Sequence, residues 1–271
     1  MELTNSQIAQ IVEISKNAGN IILDVYQSKF RIEYKSDESP VTLADKLSST
    51  LIITCLKEIF PNIPAISEEE LVPHFETRKH WDLFWLIDPL DGTKEFINRT
   101  DEFTVNIALI QNNVPIFGLI YHPIRRVCFY ASKNKGTYRV DQQTKLLPKI
   151  QTPLDSKGNL KVAGSRSHSS ERFTAYIETI KPDYKEIEIK RLGSSYKFCM
   201  AAEGLIDIYP RFGRTMEWDT AAGHIICNEV GKKIYQQSSV IELTYNKENL
   251  SNPWFMAADD LSIERLKWLT T

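Results

Sequence analysis

The interpretation of this sequence depends on one stretch, Trp85-Leu86-Ile87-Asp88-Pro89-Leu90-Asp91-Gly92-Thr93-Lys94-Glu95-Phe96. A dense apolar run of strand length, 82–90, leads into two aspartates three residues apart. Pro89 cannot donate to a strand ladder and Gly92 permits a tight reversal, so the strand is predicted to end abruptly here. Two carboxylates this close repel each other when desolvated, and a hard cation such as Mg²⁺ relieves the repulsion. The stretch therefore favours a metal-binding strand end over a simple Asp91-Gly92 turn.

Two further acidic segments support the metal interpretation. Ser67-Glu68-Glu69-Glu70 follows another short apolar run, 63–66, although an acidic run alone is typical of a solvated surface. Glu217-Trp218-Asp219 precedes a run of small residues, where Asp219 has a second interpretation as the N-cap of a helix. Taken together, the first two acidic clusters predict metal ligands on neighbouring strand ends.

The first half of the chain is predicted to form two helices followed by an antiparallel meander. Apolar residues recur at helical spacing over 8–25, with Thr4, Asn5 or Ser6 available as N-cap. A second helix starts at Thr42, whose T-x-x-D pattern to Asp45 is typical of a capping box, and Pro61 ends it. The predicted strands of the meander are 82–90, 103–110, 116–122, 127–131 and 136–140.

From about residue 152 the pattern alternates between strands and helices, which indicates an α/β layer. The predicted strands are 160–164, 186–190, 206–210 and 232–235, and the predicted helices are 170–180, 195–203 and 219–230. The polar stretch 141–158 favours a boundary between an α+β metal-binding domain, 1–150, and an α/β domain, 151–271, that completes the substrate site. One continuous layered core is the alternative.

Composition excludes several classes of protein. With 271 residues, 42% hydrophobic and 25% charged, the chain matches a globular protein and not a disordered, collagenous or coiled-coil one. Its 33 basic and 35 acidic residues give a net charge of −2, so no overall basic field gathers nucleic acid. Four scattered cysteines without a C-x-x-C pair indicate buried, reduced thiols: Cys55, Cys128, Cys199 and Cys227.

The same features indicate where the protein works. The longest apolar runs are far shorter than the ~20 residues that span a bilayer, and the N-terminus lacks the pattern of an export signal. We expect a cytoplasmic protein without an integral membrane segment, with peripheral association at the inner membrane left open. A monomer and a homodimer are both compatible with the sequence.

Three motifs together resemble the inositol monophosphatase superfamily: Ser67-Glu68-Glu69, Asp88-Pro89-Leu90-Asp91-Gly92-Thr93 and Trp218-Asp219-Thr220-Ala221-Ala222-Gly223. They occur in the family's order, and the similarity covers nearly the whole chain. The resemblance implies a layered α/β/α/β/α fold and a magnesium-dependent, lithium-sensitive phosphatase. Further segments resemble the CysQ-type 3′(2′),5′-bisphosphate nucleotidases: 92–97, 103–110, 165–168, 193–199 and 209–213.

The resemblance assigns metal and catalytic roles by position. It implies two or three Mg²⁺ ions held by four carboxylates and one backbone carbonyl, those of Glu68, Asp88, Asp91, Asp219 and Leu90 respectively. Thr93 would orient the attacking water together with Glu68, and Asp45 would accept a hydrogen bond from the Thr93 hydroxyl. The alternative for Asp45 is the capping box alone, and the two roles are compatible.

Substrate contacts follow from the same resemblance. They fall beside the metals at Asp91, Gly92, Thr93 and Asp219, where backbone N–H groups from Gly92 onward are predicted to open a helix that cradles phosphate. A second anion site, for a 5′-phosphate, is expected from four side chains: His168, Ser194, Lys197 and Arg211. The alternatives are a surface lysine for Lys197, a surface ion pair for Arg211 and an ordinary polar turn residue for His168.

The expected reaction is hydrolysis of the 3′-phosphate of adenosine 3′,5′-bisphosphate, and of 3′-phosphoadenylyl sulfate, by metal-activated water. Two cations ~3.5–4 Å apart can clamp the attacking and leaving oxygens. Such a reaction needs no protein nucleophile, which agrees with the lack of a convincing serine or cysteine triad. The alternatives are an inositol or other sugar monophosphatase on the same fold and, more remotely, a non-catalytic regulator that binds metal or nucleotide.

Overall fold

The computed structural model describes residues 1–34, 40–150, 158–166, 171–237 and 241–259. Its helices are α1 (Asn5–Gln27), α2 (Leu43–Ile59), α3 (Phe75–Arg78), α4 (Thr93–Ile97), α5 (Glu171–Ile180), α6 (Tyr196–Ala202) and α7 (Glu217–Asn228). Its strands are β1 (Ile32–Tyr34), β2 (Pro40–Thr42), β3 (Ala65–Ser67), β4 (Leu83–Asp91), β5 (Thr104–Gln111), β6 (Val114–His122), β7 (Val127–Ser132), β8 (Gly136–Val140), β9 (Thr144–Leu146), β10 (Asn159–Ser165), β11 (Glu186–Leu192), β12 (Tyr209–Arg211), β13 (Lys233–Gln236) and β14 (Phe255–Ala258).

A seven-stranded sheet carries the predicted meander. Its order is β3-β4-β5-β6-β7-β8-β9; β3 runs parallel to β4, and the other neighbours are antiparallel. The β5–β6 hairpin turns through Asn112 and Asn113, whose φ angles of 51° and 64° lie in the left-handed region that asparagine tolerates. This explains why a turn signal between two apolar runs correctly predicted the hairpin.

Helices cover both faces of this sheet. Alternate strand residues such as Ile107 and Leu109 pack with apolar residues of α1 and α2. The opposite face, including Ala108 and Ile110, packs with α6 and α7. Because the side chains of a strand alternate between faces, β5 contributes to two separate cores.

The C-terminal half adds two small sheets beyond α6 and α7. β10 and β11 pair in parallel, and β14 lies between β12 and β13 with antiparallel pairing. Their far side packs against α5 through Phe173, Tyr176 and Ile177. The layers therefore run helix, sheet, helix, sheet, helix, which confirms the predicted α/β/α/β/α architecture.

Several predicted boundaries were wrong. β4 extends one residue beyond the predicted range of 82–90, to Asp91, and Pro89 does not block the ladder, because a register shift between Asp88 and Asp91 lets the strand pass the proline. The strand predicted over 206–210 is the shorter β12, and α7 begins at Glu217 instead of after Trp218. β14 was missed, because four apolar residues without a local partner carry little signal.

One buried core crosses the predicted domain boundary. It joins Phe84 and Ile120 of the large sheet to Ala222 and Ile225 of α7. The division into two domains at residue 150 stays a prediction. A shared core of this kind is what the alternative, one continuous layered core, predicts.

All four cysteines are unpaired, with Cys55 only partly buried. Among the described residues, no helix combines the length and apolarity needed to cross a bilayer.

Candidate metal and phosphate site

Parallel pairing of β3 and β4 brings two acidic segments to one sheet edge. Ser67 is in register with Ile87, and the backbone N–H of Glu68 donates to the Ile87 carbonyl at 3.1 Å. Glu68 and Asp88 therefore follow at the same end of adjacent strands. The prediction that these two clusters lie on neighbouring strand ends is confirmed.

The first turn of α7 adds a third carboxylate. Asp219 is the third residue of the helix, and its side chain accepts the backbone N–H of Met216 at 2.8 Å. The N-cap position belongs to Met216, so the interpretation of Asp219 as N-cap was wrong by three residues. One carboxylate oxygen from each of Glu68, Asp88 and Asp219 lies within 4.8 Å of the others. This acidic cluster could hold a metal ion.

Asp91 stands at the end of β4, and the predicted turn at Asp91-Gly92 is present there, while metal binding by Asp91 stays a prediction. Gly92 has φ +93°, and a Cβ there would lie 2.9 Å from the Glu102 carbonyl oxygen, so the turn requires glycine. Asp91 itself accepts the backbone N–H of Ser195. Between the aspartates, the Leu90 side chain is buried while its N–H donates to Asp88 at 3.0 Å.

Burial and mutual repulsion govern the charge of these carboxyls. Burial raises the pKa of Asp88 well above its usual range, and the charges of Glu68, Asp91 and Asp219 raise it further. Burial likewise raises the pKa of Asp219, with Asp91 and Glu68 adding to the effect. The pKa of Asp91 rises to about 6 through burial, partly offset by nearby Lys197. Carboxyls that repel one another in this way fit a hard divalent ion, which prefers oxygen ligands.

Thr93 and Asp45 meet beside the acidic cluster. The Thr93 hydroxyl lies 3.1 Å from Asp45 Oδ1 and 3.3 Å from the Leu90 carbonyl oxygen. Asp45 Oδ2 accepts from the Thr42 N–H and hydroxyl, both at 2.7 Å. The predicted capping box and the predicted contact with Thr93 are both present; the catalytic roles stay predictions.

Basic side chains form the opposite wall. Lys197 is 4% exposed, so the surface-lysine alternative is wrong. Its ammonium donates to the carbonyls of Leu192 at 3.1 Å and Ser194 at 2.6 Å, and burial lowers its pKa to about 8. Arg211 donates to the Arg214 carbonyl at 3.2 Å, and within the described chain its buried Nε has no hydrogen-bond partner.

The predicted anion site also includes Ser194 and His168. Of these two residues, the structure describes only Ser194. Ser194 has φ 47°, an uncommon left-handed conformation for a residue with a side chain, and it lines the cleft. His168 lies outside the described residues.

All these groups surround one cleft of about 670 Å³. Every predicted site residue that the structure describes lines it except Asp45, which contacts Thr93 from behind. Sequence reasoning gave no role to several lining residues, namely Ser195, Tyr209, Arg214, Thr215 and Met216. The run Gly193-Ser194-Ser195 before α6 was the available signal for Ser195, because small polar residues commonly precede a helix.

Comparisons with known proteins agree with the family resemblance of the three sequence motifs. A model described as the inositol monophosphatase family matches residues 4–253. The chain is 41% identical to the 3′(2′),5′-bisphosphate nucleotidase CysQ of Salmonella typhimurium over 92% of this chain and 98% of that protein. It is 38% identical to the CysQ of Haemophilus influenzae over 97% of each. Among solved structures, CysQ from Bacteroides thetaiotaomicron matches with 37% identity and a TM-score of 0.82, covering 94% of this chain and 97% of that one.

Proposed function

Since this chain belongs to the inositol monophosphatase family, we propose that it is a magnesium-dependent 3′(2′),5′-bisphosphate nucleotidase. It removes the 3′-phosphate of adenosine 3′,5′-bisphosphate, and 3′-phosphoadenylyl sulfate is its second expected substrate. The observation that carries the proposal is the pairing of an acidic cluster with a buried lysine across one cleft. The choice of a nucleotide as substrate rests on the similarity to the CysQ nucleotidases of Salmonella typhimurium and Haemophilus influenzae.

The donor set suits two or three Mg²⁺ ions. Carboxylates of Glu68, Asp88, Asp91 and Asp219 and the Leu90 carbonyl would hold them, in agreement with the preference of Mg²⁺ for oxygen ligands. Bound magnesium supplies a water of lowered pKa and neutralises charge on the phosphoryl oxygens.

Thr93 and Asp45 orient the attacking water. The Thr93 hydroxyl gives its single proton to Asp45, so the lone pairs of its oxygen remain free to accept a hydrogen bond from water. Asp45 is held in place by Thr42 through two hydrogen bonds. Glu68 accepts from the same water on its other side. Hydrolysis adds this water to phosphorus, releases inorganic phosphate and leaves the ribose 3′-hydroxyl protonated.

The remaining cleft fits the rest of the nucleotide. Lys197 uses two of its three N–H donors on carbonyl groups, which leaves one donor for a phosphate oxygen. Arg211 and Arg214 add positive charge on the same wall. Aromatic side chains of Tyr209 and Trp218 supply apolar surface for a nucleoside, and the cleft volume is typical of small-molecule sites.

A side-by-side assay tests the proposal. We expect faster phosphate release from adenosine 3′,5′-bisphosphate than from inositol 1-phosphate or fructose 1,6-bisphosphate, and none in EDTA. Equal or reversed preference would assign the chain to the sugar monophosphatases. Nucleotide binding in Mg²⁺ without any phosphate release would indicate the non-catalytic regulator instead.

A further inference from the structure

One polar side chain, Asn106, interrupts the apolar strand β5 directly behind the acidic cluster. It is 1% exposed and lies between the fully buried Val105 and Ile107. Its Oδ1 accepts the Ser195 hydroxyl at 2.6 Å, but its Nδ2 is buried and has no hydrogen-bond partner among the described residues. A buried N–H left unpaired costs roughly 1–3 kcal/mol, so this donor calls for an acceptor within reach, directly or through a buried water.

The residue opposite Asn106 in the sheet is Asp88. The two are direct partners in the antiparallel β4–β5 register. Side chains of directly paired residues project from the same face, with Cβ atoms roughly 4.5–5.5 Å apart. Asp88 accepts the Leu90 N–H through Oδ1, and its carboxylate has lone pairs left for another donor.

The hydrogen bonds around Ser195 and the charge of Asp88 together indicate which end of the amide faces Asp88. Ser195 has one hydroxyl proton and gives it to Asn106 Oδ1, so Thr104, at 2.8 Å, must donate to the Ser195 oxygen. The Oδ1 end is therefore committed to Ser195, and Nδ2 is the end left for Asp88. The opposite orientation would place a carbonyl oxygen beside a carboxylate.

We propose that Asn106 is a positioning residue that fixes both aspartates of β4. Its Nδ2 donates to Asp88 through one buried water, while its Oδ1 anchors Ser195, whose backbone N–H holds Asp91. This proposal rests on the proposed function, because it assigns the two aspartates to metal binding. Asparagine suits the position since it offers a donor without a charge, whereas a lysine would neutralise Asp88 and repel the cation.

Calorimetric titration with Mn²⁺ alone tests the proposal without substrate. Asn106→Leu keeps the volume and removes both polar ends; we expect its Mn²⁺ dissociation constant to rise about 10- to 100-fold, as for lost partners of metal ligands. Ser195→Ala removes the anchor but leaves Nδ2 and the backbone N–H to Asp91, so we expect a rise of about threefold or less. Asn228→Leu, which removes another partly buried amide bonded to Glu242, is the control and should bind normally.

Each outcome decides one question. Normal binding by Asn106→Leu, or equal loss in Asn106→Leu and Ser195→Ala, overturns the role of Asn106 toward Asp88. Failure of the wild type to hydrolyse the bisphosphate contradicts the proposed function, yet the Mn²⁺ titration still tests Asn106. If Asn106→Leu does not fold, a crystal structure of the wild type with Mn²⁺ replaces it. A separation above about 4 Å between the Asn106 amide and Asp88, without a bridging water, then refutes the proposal.

Discussion

Two carboxylates in the first turn of α7 serve different purposes, and Glu217 is buried whereas Asp219 is half-buried. Glu217 is fully buried and accepts the backbone N–H groups of Asn246 at 2.6 Å and Lys247 at 3.0 Å, and the Lys247 ammonium at 2.6 Å. Asp219, two residues later, faces other carboxylates across the cleft. Among the described residues, no lysine or arginine forms an ion pair with Asp219 or Asp88.

The contrast separates structural charge from functional charge. Around Glu217 the chain supplies its own cations, and buried Arg78 braces the same loop by donating to the carbonyls of Lys247 and Glu248. Around Asp88 the chain places three further carboxylates, whose charges raise the pKa of Asp88, and a bound cation would balance them. Removing one partner of a buried ion pair is strongly destabilising, whereas clustered carboxylates without a counter-charge destabilise a fold until a cation binds.

The largest expected effect is on turnover, through Asp88→Asn. This nearly isosteric change removes one metal ligand, so phosphate release from adenosine 3′,5′-bisphosphate should fall by about a thousandfold or more, the scale on which losing one key electrostatic group acts. Unfolding in EDTA should show stability equal to or above that of the wild type, because a repelled charge is gone. Retained activity would contradict the metal assignment.

Glu217→Ala should show the opposite profile. It leaves the partly buried Lys247 and two backbone N–H groups without their acceptor, so we expect a loss of about 3 kcal/mol in the free energy of unfolding. Urea unfolding in EDTA measures this. Lys247→Met in the same background should recover part of the loss, since it removes the orphaned charge. If Glu217→Ala were as stable as Asp88→Asn, the distinction between the two carboxylates would be wrong.

Local patterns predicted those parts of the fold that depend on neighbours in sequence. The capping box from Thr42 to Asp45 and the asparagine turn between β5 and β6 are set by a few consecutive residues, and both are present. The β12-β14-β13 sheet joins segments far apart along the chain, so no single window contains its signal. The bulge in β4 was missed because pairing continues past Pro89 only when β5 is in place.

The site divides in the same way. Glu68 and Asp88 were predicted to be neighbours because each follows a short apolar run, and parallel strands align such ends. That Asp219 lies close to Glu68 and Asp88 could be predicted only from the family resemblance, because the local sequence around Asp219 favours a helix cap. The contacts of Ser195 and Asn106 depend on strand register and on how α6 docks, which no spacing of residues reveals.

A smaller effect, on substrate binding, is expected from Lys197→Met. Losing one charge-assisted hydrogen bond, worth roughly 1.5–3 kcal/mol, should raise KM for the bisphosphate about 10- to 100-fold. Because the pKa of Lys197 is lowered to about 8, the wild-type KM should also rise above that pH as the ammonium loses its proton. Lys232→Met is the matched control, since Lys232 is equally buried but donates to the Asp207 carbonyl elsewhere. An unchanged KM in Lys197→Met would remove this lysine from the anion site.

The smallest expected effect links the acidic cluster to the stability of the metal-free protein. Carboxyls whose pKa is raised by folding bind more protons in the folded state than in the unfolded state, so stability falls as the pH rises through the folded pKa. For Asp91 the loss begins near pH 4 and is complete above about pH 6, and for Asp88 and Asp219 it continues higher. The free energy of unfolding in EDTA should therefore be roughly 1 kcal/mol larger at pH 6 than at pH 8.

Asp88→Asn should flatten this pH dependence. Saturating Mg²⁺ should reverse it, because the cation competes with protons. The Glu217→Ala variant should be less stable overall but should keep the wild-type pH dependence of the free energy of unfolding. If Glu217→Ala lost that pH dependence instead, Glu217 and not the acidic cluster would be the titrating group.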